Sequence, residues 1–201
     1  RAEDFVLEAD HVAFTAVTKE TRVPVRVNIP GRFMVYNTLD VLGAALALGV
    51  SLEDSAKVLA QVPPVKGRVE VVPTPGKDYT VLIDYAHSPN ALENILMTAR
   101  TFTANRLICL FGCGGDRDRS KRPVMGAVVK ELADLAVVTS DNPRSESPEG
   151  IIAEILPGIE GEGAQVHVEP DRREAIRWAL SQGRPGDVIV LAGKGHETYQ
   201  E

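Results

Sequence analysis

The chain changes its hydrophobic rhythm twice. Over residues 5–29 apolar and polar positions alternate loosely, through FVLEADHVAFTAVT and then TRVPVRVNI. A period near two, rich in Val, Phe and Thr, predicts two or three antiparallel strands. Pro30-Gly31 breaks the pattern. From residue 35 to 48 the spacing becomes helical, with Leu39, Leu42 and Leu46 set among alanines and Gly49 at the place of a C′ residue. Ser51 followed by Asp54 resembles a capping box for a second helix running to residue 61. Pro63-Pro64 ends that helix as a short stiff linker and sets a domain boundary near Val65.

Beyond the linker, strand and helix patterns alternate. Strands are predicted at 80–84, 106–111, 135–139, 165–168 and 187–192. Helices are predicted at 90–102, 122–133, 148–156 and 171–181, the last with Asp171 as N-cap. Strands that are apolar on both faces, interleaved with amphipathic helices, require a mostly parallel sheet covered on both sides. Right-handed crossovers make it a doubly wound, Rossmann-like sheet. The expected fold is α/β, with that sheet in residues 66–201 and a partial α/β domain in residues 1–65. The chain enters a strand pattern directly after Arg1 and stops at Glu201, just past a Gly-rich loop, which predicts a fragment of a longer protein.

In such a sheet the loops that follow the strands share one edge, and ligands bind there. Four of these loops are polar: Asp84-Tyr85-Ala86-His87-Ser88-Pro89, Gly112 through Arg119, Ser140 through Pro148, and Gly193-Lys194-Gly195-His196-Glu197. The fifth, after the strand at 165–168, reads only as Glu169-Pro170 and an N-cap. The richest is SDNPRSESP. Asp141, Asn142 and Arg144 stand around Pro143 and offer an acceptor, an amide and a planar cationic fork. That set suits a small zwitterion. By itself the tetrapeptide also reads as an Asx-Pro turn.

Composition narrows the class. The apolar share, 44%, is ordinary for a globular core. A net charge of −6 argues against a general nucleic-acid binder. No apolar run spans a bilayer and no signal peptide is visible, so membrane insertion is not expected. Cys109 and Cys113 are too few for a metal site and read as reduced thiols of a cytoplasmic protein.

The glycine-rich loops exclude two common phosphate cradles. Gly112–Arg119 has Arg117 where a dinucleotide fingerprint needs its third glycine. Gly193-Lys194-Gly195 lacks the spaced first glycine and the hydroxyl residue of a Walker A loop. Arg117, Arg119, Lys121 and Arg122 form a basic loop in an acidic chain, which favours an anionic ligand. Asp84 suits ribose hydroxyls or a metal, and Tyr85 suits stacking or a half-buried core position. His87 and His196 share the polar edge without a matched nucleophile, while His11 and His167 carry no chemistry by position.

DYAHSPNAL, FGCGGDRDRSKRPVMG, TSDNPRSESP and AGKGHETYQ resemble the C-terminal domain of the Mur ligases. They are most similar to the branch that adds meso-diaminopimelate to UDP-N-acetylmuramoyl-L-alanyl-D-glutamate. PGRFMVYNTLDVLGAALALGVS and VKGRVEVV resemble the end of that family's central ATP-binding domain and its hinge. The resemblance implies a cytoplasmic peptidoglycan-precursor ligase that uses ATP and magnesium and proceeds through an acyl phosphate. It implies that Arg117, Asp141, Asn142, Arg144, Gly193 and Glu197 hold diaminopimelate. Asn37 would contact adenine, Asp84 the ribose and Arg68 the phosphates, with Arg68 the catalytic residue and Tyr85 and His87 beside the nucleotide. Met34 departs from the family, which often has Asn there. The phosphate loop and the magnesium-holding carboxylated lysine would lie upstream, so no metal ligand is expected in this chain and the fragment alone should be inactive. Two competing readings stand beside this one. One is a non-catalytic anion- or nucleotide-binding Rossmann-like module, and the other is a nucleotide-dependent oxidoreductase, which the broken fingerprint disfavours.

Overall fold

The computed structural model describes residues 1–8 and 10–201; Ala9, inside the first alternating stretch, lies outside the described residues. The chain divides into two compact units, Arg1–Val65 and Lys66–Glu201.

In the first unit the alternation folds into a three-stranded antiparallel sheet of β1 (Ala2–Leu7), β2 (Val12–Val17) and β3 (Arg22–Val27). Val12, Phe14 and Ala16 are buried on β2, and Val23, Val25 and Val27 on β3, whereas the residues between them are not. A period of two thus selects the covered face. Pro24 lies on β3, an edge strand, where a missing N–H is tolerated. Helix α1 (Phe33–Ala47) starts two residues ahead of the apolar spacing and buries Val35, Thr38 and Leu42. Helix α2 (Leu52–Leu59) opens on Ser51, whose Oγ accepts the Asp54 N–H at 3.1 Å. The short Asp54 side chain bonds the Ser51 hydroxyl at 2.7 Å instead of reaching back to the Ser51 N–H as Glu would.

The second unit is a six-stranded sheet in the order β4-β5-β9-β6-β7-β8. Its strands are β4 (Glu70–Val72), β5 (Thr80–Asp84), β6 (Leu107–Phe111), β7 (Leu135–Val138), β8 (Gln165–Val168) and β9 (Val188–Ala192). All pair in parallel except β4, which lies antiparallel on the edge of β5. The pattern does not predict β4, since three residues carry too little period to read. The helices are α3 (Pro89–Arg100), α4 (Lys121–Leu132), α5 (Pro148–Ile155) and α6 (Arg172–Ser181). Asp171 caps α6 by accepting the Glu174 N–H at 3.0 Å.

Every residue of β6 and β7 is buried, as their unbroken apolar runs require, while β8 at the edge is largely exposed. Each fully buried Leu, Ile or Phe in such a sheet contributes about 1.5–3 kcal/mol. Ala175 and Ala179 of α6 pack one face of the sheet, against Ile108, Leu110, Val137 and Ile189. The chain steps outward from β5 through β6 and β7 to β8, then returns through α6 to insert β9 between β5 and β6. With right-handed crossovers this reversal puts α6 on one face and the other three helices on the opposite face. It also opens a crevice at the carboxyl ends of the strands.

Candidate functional site

The six residues expected around the substrate, Arg117, Asp141, Asn142, Arg144, Gly193 and Glu197, line one cavity of about 300 Å³. Tyr85 and His87 from the nucleotide group share it, and Gly114, Asp118 and Lys121 complete the wall. These residues come from the carboxyl ends of β5, β6, β7 and β9, so the topology gathers segments up to 112 residues apart.

Glu197 is the hub of one wall. Its Oε2 accepts from Lys194 Nζ and from Asn142 Nδ2, both at 3.0 Å, and its Oε1 accepts from the Tyr85 hydroxyl at 3.1 Å. Burial pushes the Glu197 carboxyl up, but these bonds and the Lys194 charge outweigh it and hold it below the ordinary glutamate value. Asn142 returns the contact, its Oδ1 accepting from Lys194 Nζ at 2.7 Å. Lys194 was not among the expected site residues. Its signal was present, as a cation between two glycines at a strand end, but without a phosphate-loop pattern it carried no assignment.

Asp141 is buried, and its Oδ2 is one of two buried side-chain atoms among the described residues with no hydrogen-bond partner. A carboxylate oxygen left this way is costly. Gly193 makes room for it. At φ 109° a side chain is strained, and a β-carbon there would collide with Asp141 Oδ2. Beneath them lies Arg172, also buried, donating to Ser140 O at 3.1 Å and Ala192 O at 2.7 Å, the carbonyls just before Asp141 and Gly193. Arg172 follows the loop that had seemed uninformative. That expectation is corrected, because the same loop also supplies Pro170 O, which accepts from Ser140 Oγ at 2.8 Å. The pairing spans 30 residues and leaves no local pattern.

The cations divide into two kinds. Arg122 is fully buried and held by Glu146 and Glu154 at 2.8–2.9 Å, while Arg119 also pairs with Glu154. The expectation that the whole basic loop serves an anionic ligand is therefore corrected, since two of its four cations are spent on internal carboxylates. Arg117 and Lys121 remain at the cavity, where Arg144 joins them from the loop after β7 with its Nε 3.2 Å from a Glu201 carboxylate oxygen. Arg144 has φ 51°, a left-handed conformation that costs a non-glycine residue roughly 1 kcal/mol. The conformation is held by a turn in which the Glu146 N–H donates to Pro143 O at 3.0 Å, and by distant partners of Arg144, whose N–H donates to Glu201 O at 3.0 Å and whose Nη1 donates to Gly115 O at 2.9 Å.

The nucleotide group is less concentrated. Arg68 is exposed, its guanidinium carbon 5.0 Å from the Tyr85 ring centroid, a cation–π distance. His87 meets the same ring edge-on at 4.8 Å, and the His196 ring lies at 5.6 Å. Asp84 lies outside the cavity lining. Its oxygens accept the Val69 and Ala86 N–H groups, each at 2.8 Å, and burial raises its pKa despite those bonds. Asn37 lies in the first unit, exposed on α1, with Nδ2 3.7 Å from Met34 Sδ. Among the described residues no group of three His, Cys, Asp or Glu is placed to hold a metal ion.

One cavity thus combines the carboxylates of Asp141 and Glu197 with the guanidinium groups of Arg117 and Arg144, a set that complements an amino acid carrying both charges. The family model described as "Mur ligase, glutamate ligase domain" matches residues 67–195. The chain belongs to the Mur ligase family. It is 48% identical over 201 residues to a UDP-N-acetylmuramoyl-L-alanyl-D-glutamate--2,6-diaminopimelate ligase of Clostridium botulinum, covering 100% of this chain and 41% of that protein. It is also similar to a solved ligase of that name, with a TM-score of 0.70 and 38% identity over 100% of this chain and 41% of the other. The folylpolyglutamate synthase of Mycobacterium tuberculosis, solved with ADP, shares the fold at a TM-score of 0.74 and 20% identity, over 96% of this chain and 44% of that one. The chain spans about two fifths of the length of the curated Mur ligase relatives it matches.

Proposed function

We propose that the chain supplies the amino-acid site of an ATP-dependent ligase of peptidoglycan precursor synthesis. That ligase would join meso-diaminopimelate to UDP-N-acetylmuramoyl-L-alanyl-D-glutamate. In this reading residues 1–65 are the end of the central ATP-binding domain and residues 66–201 the amino-acid-binding domain. The observation that carries it is that Asp141, whose buried Oδ2 has no hydrogen-bond partner, lines the same cavity as Arg117 and Arg144. An ammonium would satisfy the first and a carboxylate the other two.

ATP, when bound, supplies the phosphoryl group that activates the D-glutamyl carboxylate. The chain's own residues bind and orient the incoming amino acid. Asp141 and the Asn142–Glu197 pair hold its ammonium end, and Arg144 and Arg117 its far carboxylate, so that the reacting amine is presented in one direction. Arg68 and the rings of Tyr85 and His87 fit a nucleotide's phosphates and flat base, and the ADP bound by the folylpolyglutamate synthase of this fold supports that assignment. The site uses magnesium in this reading, with its ligands outside the described residues. The reading puts the protein in the cytoplasm, which the free buried thiols of Cys109 and Cys113 support, burial pushing the latter up to about 12.

Calorimetry with meso-diaminopimelate, lysine and NAD tests the reading. Meso-diaminopimelate binding with weak or absent lysine binding is the expected result. Binding of NAD alone, or of simple anions alone, would sink it. In the intact ligase Arg68→Ala should lower turnover by about two orders of magnitude if it contacts the transferring phosphoryl group, and unchanged turnover would remove it from the mechanism.

A further inference from the structure

Tyr85 leaves β5 with two handles. Its hydroxyl donates to Glu197 Oε1 at 3.1 Å, and its ring faces the Arg68 guanidinium at 5.0 Å. Lys194 and Asn142 both bond Glu197 Oε2, so Tyr85 is the side chain that fixes the other oxygen. The hydrogen bond to Glu197 raises the tyrosine pKa, which keeps the hydroxyl protonated and donating. The backbone leaves this ring no slack. At Gly195, where φ is 49°, a β-carbon would stand 2.8 Å from Tyr85 Cβ and 2.9 Å from Gly67 O. A β-carbon on Gly67 would in turn collide with the backbone of Gly195 and His196. The segments carrying Arg68, Tyr85 and Glu197 therefore meet in contact around one aromatic ring.

We propose that Tyr85 is a positioning residue for the amino-acid site, not only a neighbour of the nucleotide. Its hydroxyl locks the Glu197 carboxylate in the orientation that receives the amino acid, and its ring seats Arg68. The inference rests on the reading of the cavity as a meso-diaminopimelate site. Two substitutions separate the handles. Tyr85→Phe removes the hydroxyl and keeps the ring, whereas Tyr85→Leu removes both.

The test is steady-state kinetics of the intact ligase, with thermal melts as a folding control. Tyr85→Phe should raise the KM for meso-diaminopimelate about tenfold, the scale for losing one hydrogen bond to a charged group, and leave the KM for ATP alone. Tyr85→Leu should raise both. In a Glu197→Ala background Tyr85→Phe should have no further effect on kcat/KM, because the hydroxyl then has nothing to hold. A wild-type KM for meso-diaminopimelate in a folded Tyr85→Phe enzyme overturns the proposal. So does an undiminished Tyr85→Phe effect in the Glu197→Ala background, or a Tyr85→Leu enzyme with normal KM for ATP. Failure of the wild type to bind meso-diaminopimelate at all would instead bring down the site reading, and this inference with it.

Discussion

Two buried aspartates at opposite edges of the same sheet have opposite surroundings. Asp187, just before β9 at the amino-terminal edge, has a side chain with no exposure and every expected partner. Its oxygens accept the Arg106 and Arg184 N–H groups at 3.0 Å and the Arg106 guanidinium at 2.6 Å. Asp141, just after β7 at the carboxyl edge, is also buried, yet its Oδ2 has no partner. The first arrangement is what folding alone would select. The second leaves a buried carboxylate oxygen without a hydrogen bond, in a residue that lines a cavity. Gly193 sharpens the contrast, because only a glycine at φ 109° lets the backbone approach that oxygen so closely.

The largest expected effect breaks the satisfied side. Asp187→Ala leaves the half-buried Arg106 and two backbone N–H groups without their acceptor, and should lower stability by about 3 kcal/mol in chemical denaturation. Ligand affinity in the fraction that remains folded should not change. The matching substitution on the other side should reverse both results. Asp141→Asn breaks no hydrogen bond and removes only the charge that faces the buried Arg172, so it is expected to lower stability less than Asp187→Ala does, and to weaken meso-diaminopimelate binding about a hundredfold, or about 2.7 kcal/mol. Arg144→Ala should cut the preference for meso-diaminopimelate over lysine by about as much, because lysine lacks the carboxylate this guanidinium would pair. A variant of Asp141 that unfolds the protein and spares binding would erase the contrast between the two edges.

How far the sequence revealed these edges depended on separation along the chain. Contacts within a few residues were legible: the Ser51 and Asp171 caps, the apolar period of α1 and the polar loops after β5, β6, β7 and β9 all formed where local chemistry predicted. The six residues expected around a substrate line one cavity because strand-end loops converge by topology, which a strand–helix alternation specifies. What was hidden needed distant partners. Arg122 reads in sequence as one of four loop cations, but Glu146 and Glu154, 24 and 32 residues away, fold onto it. Arg172 reads as an ordinary helix residue, because its two carbonyl partners belong to β7 and β9 loops on either side of β6. Strand β4 was too short to show a period.

A pH titration sharpens the comparison from the site side. Glu146 ties the two loops that bear Arg117 and Arg144, accepting the Asp116 N–H at 2.7 Å as well as the Arg122 guanidinium. The hydrogen bond from Arg122, with that from Asp116, holds its pKa at about 2 against an ordinary 4.5. A carboxyl depressed in the folded state contributes stability above its unfolded value and loses that contribution as pH falls through the folded one. The contribution should therefore be complete above pH 4.5 and fade toward pH 2. Acid unfolding followed by circular dichroism should show less pH dependence across that window in Glu146→Gln than in the parent. Identical acid profiles would mean that the latch contributes nothing.

The smallest effect probes whether the scaffold beneath Asp141 can be weakened without touching the ligand. Asp171 caps α6 through the Glu174 N–H, and the next residue, Arg172, reaches under the site to Ser140 O and Ala192 O. Asp171→Ala removes one exposed cap bond, a loss of about 1 kcal/mol in thermal or chemical unfolding. Arg172 is anchored by its own buried guanidinium bonds and by the packing of Ala175 and Ala179, so the helix start should stay in register. Meso-diaminopimelate affinity is then expected to match the parent. A parallel loss of affinity would mean that the cap, and not the buried arginine, sets the height of Asp141 in the cavity, and the carboxyl edge would be less independent of its scaffold than the contrast with Asp187 implies.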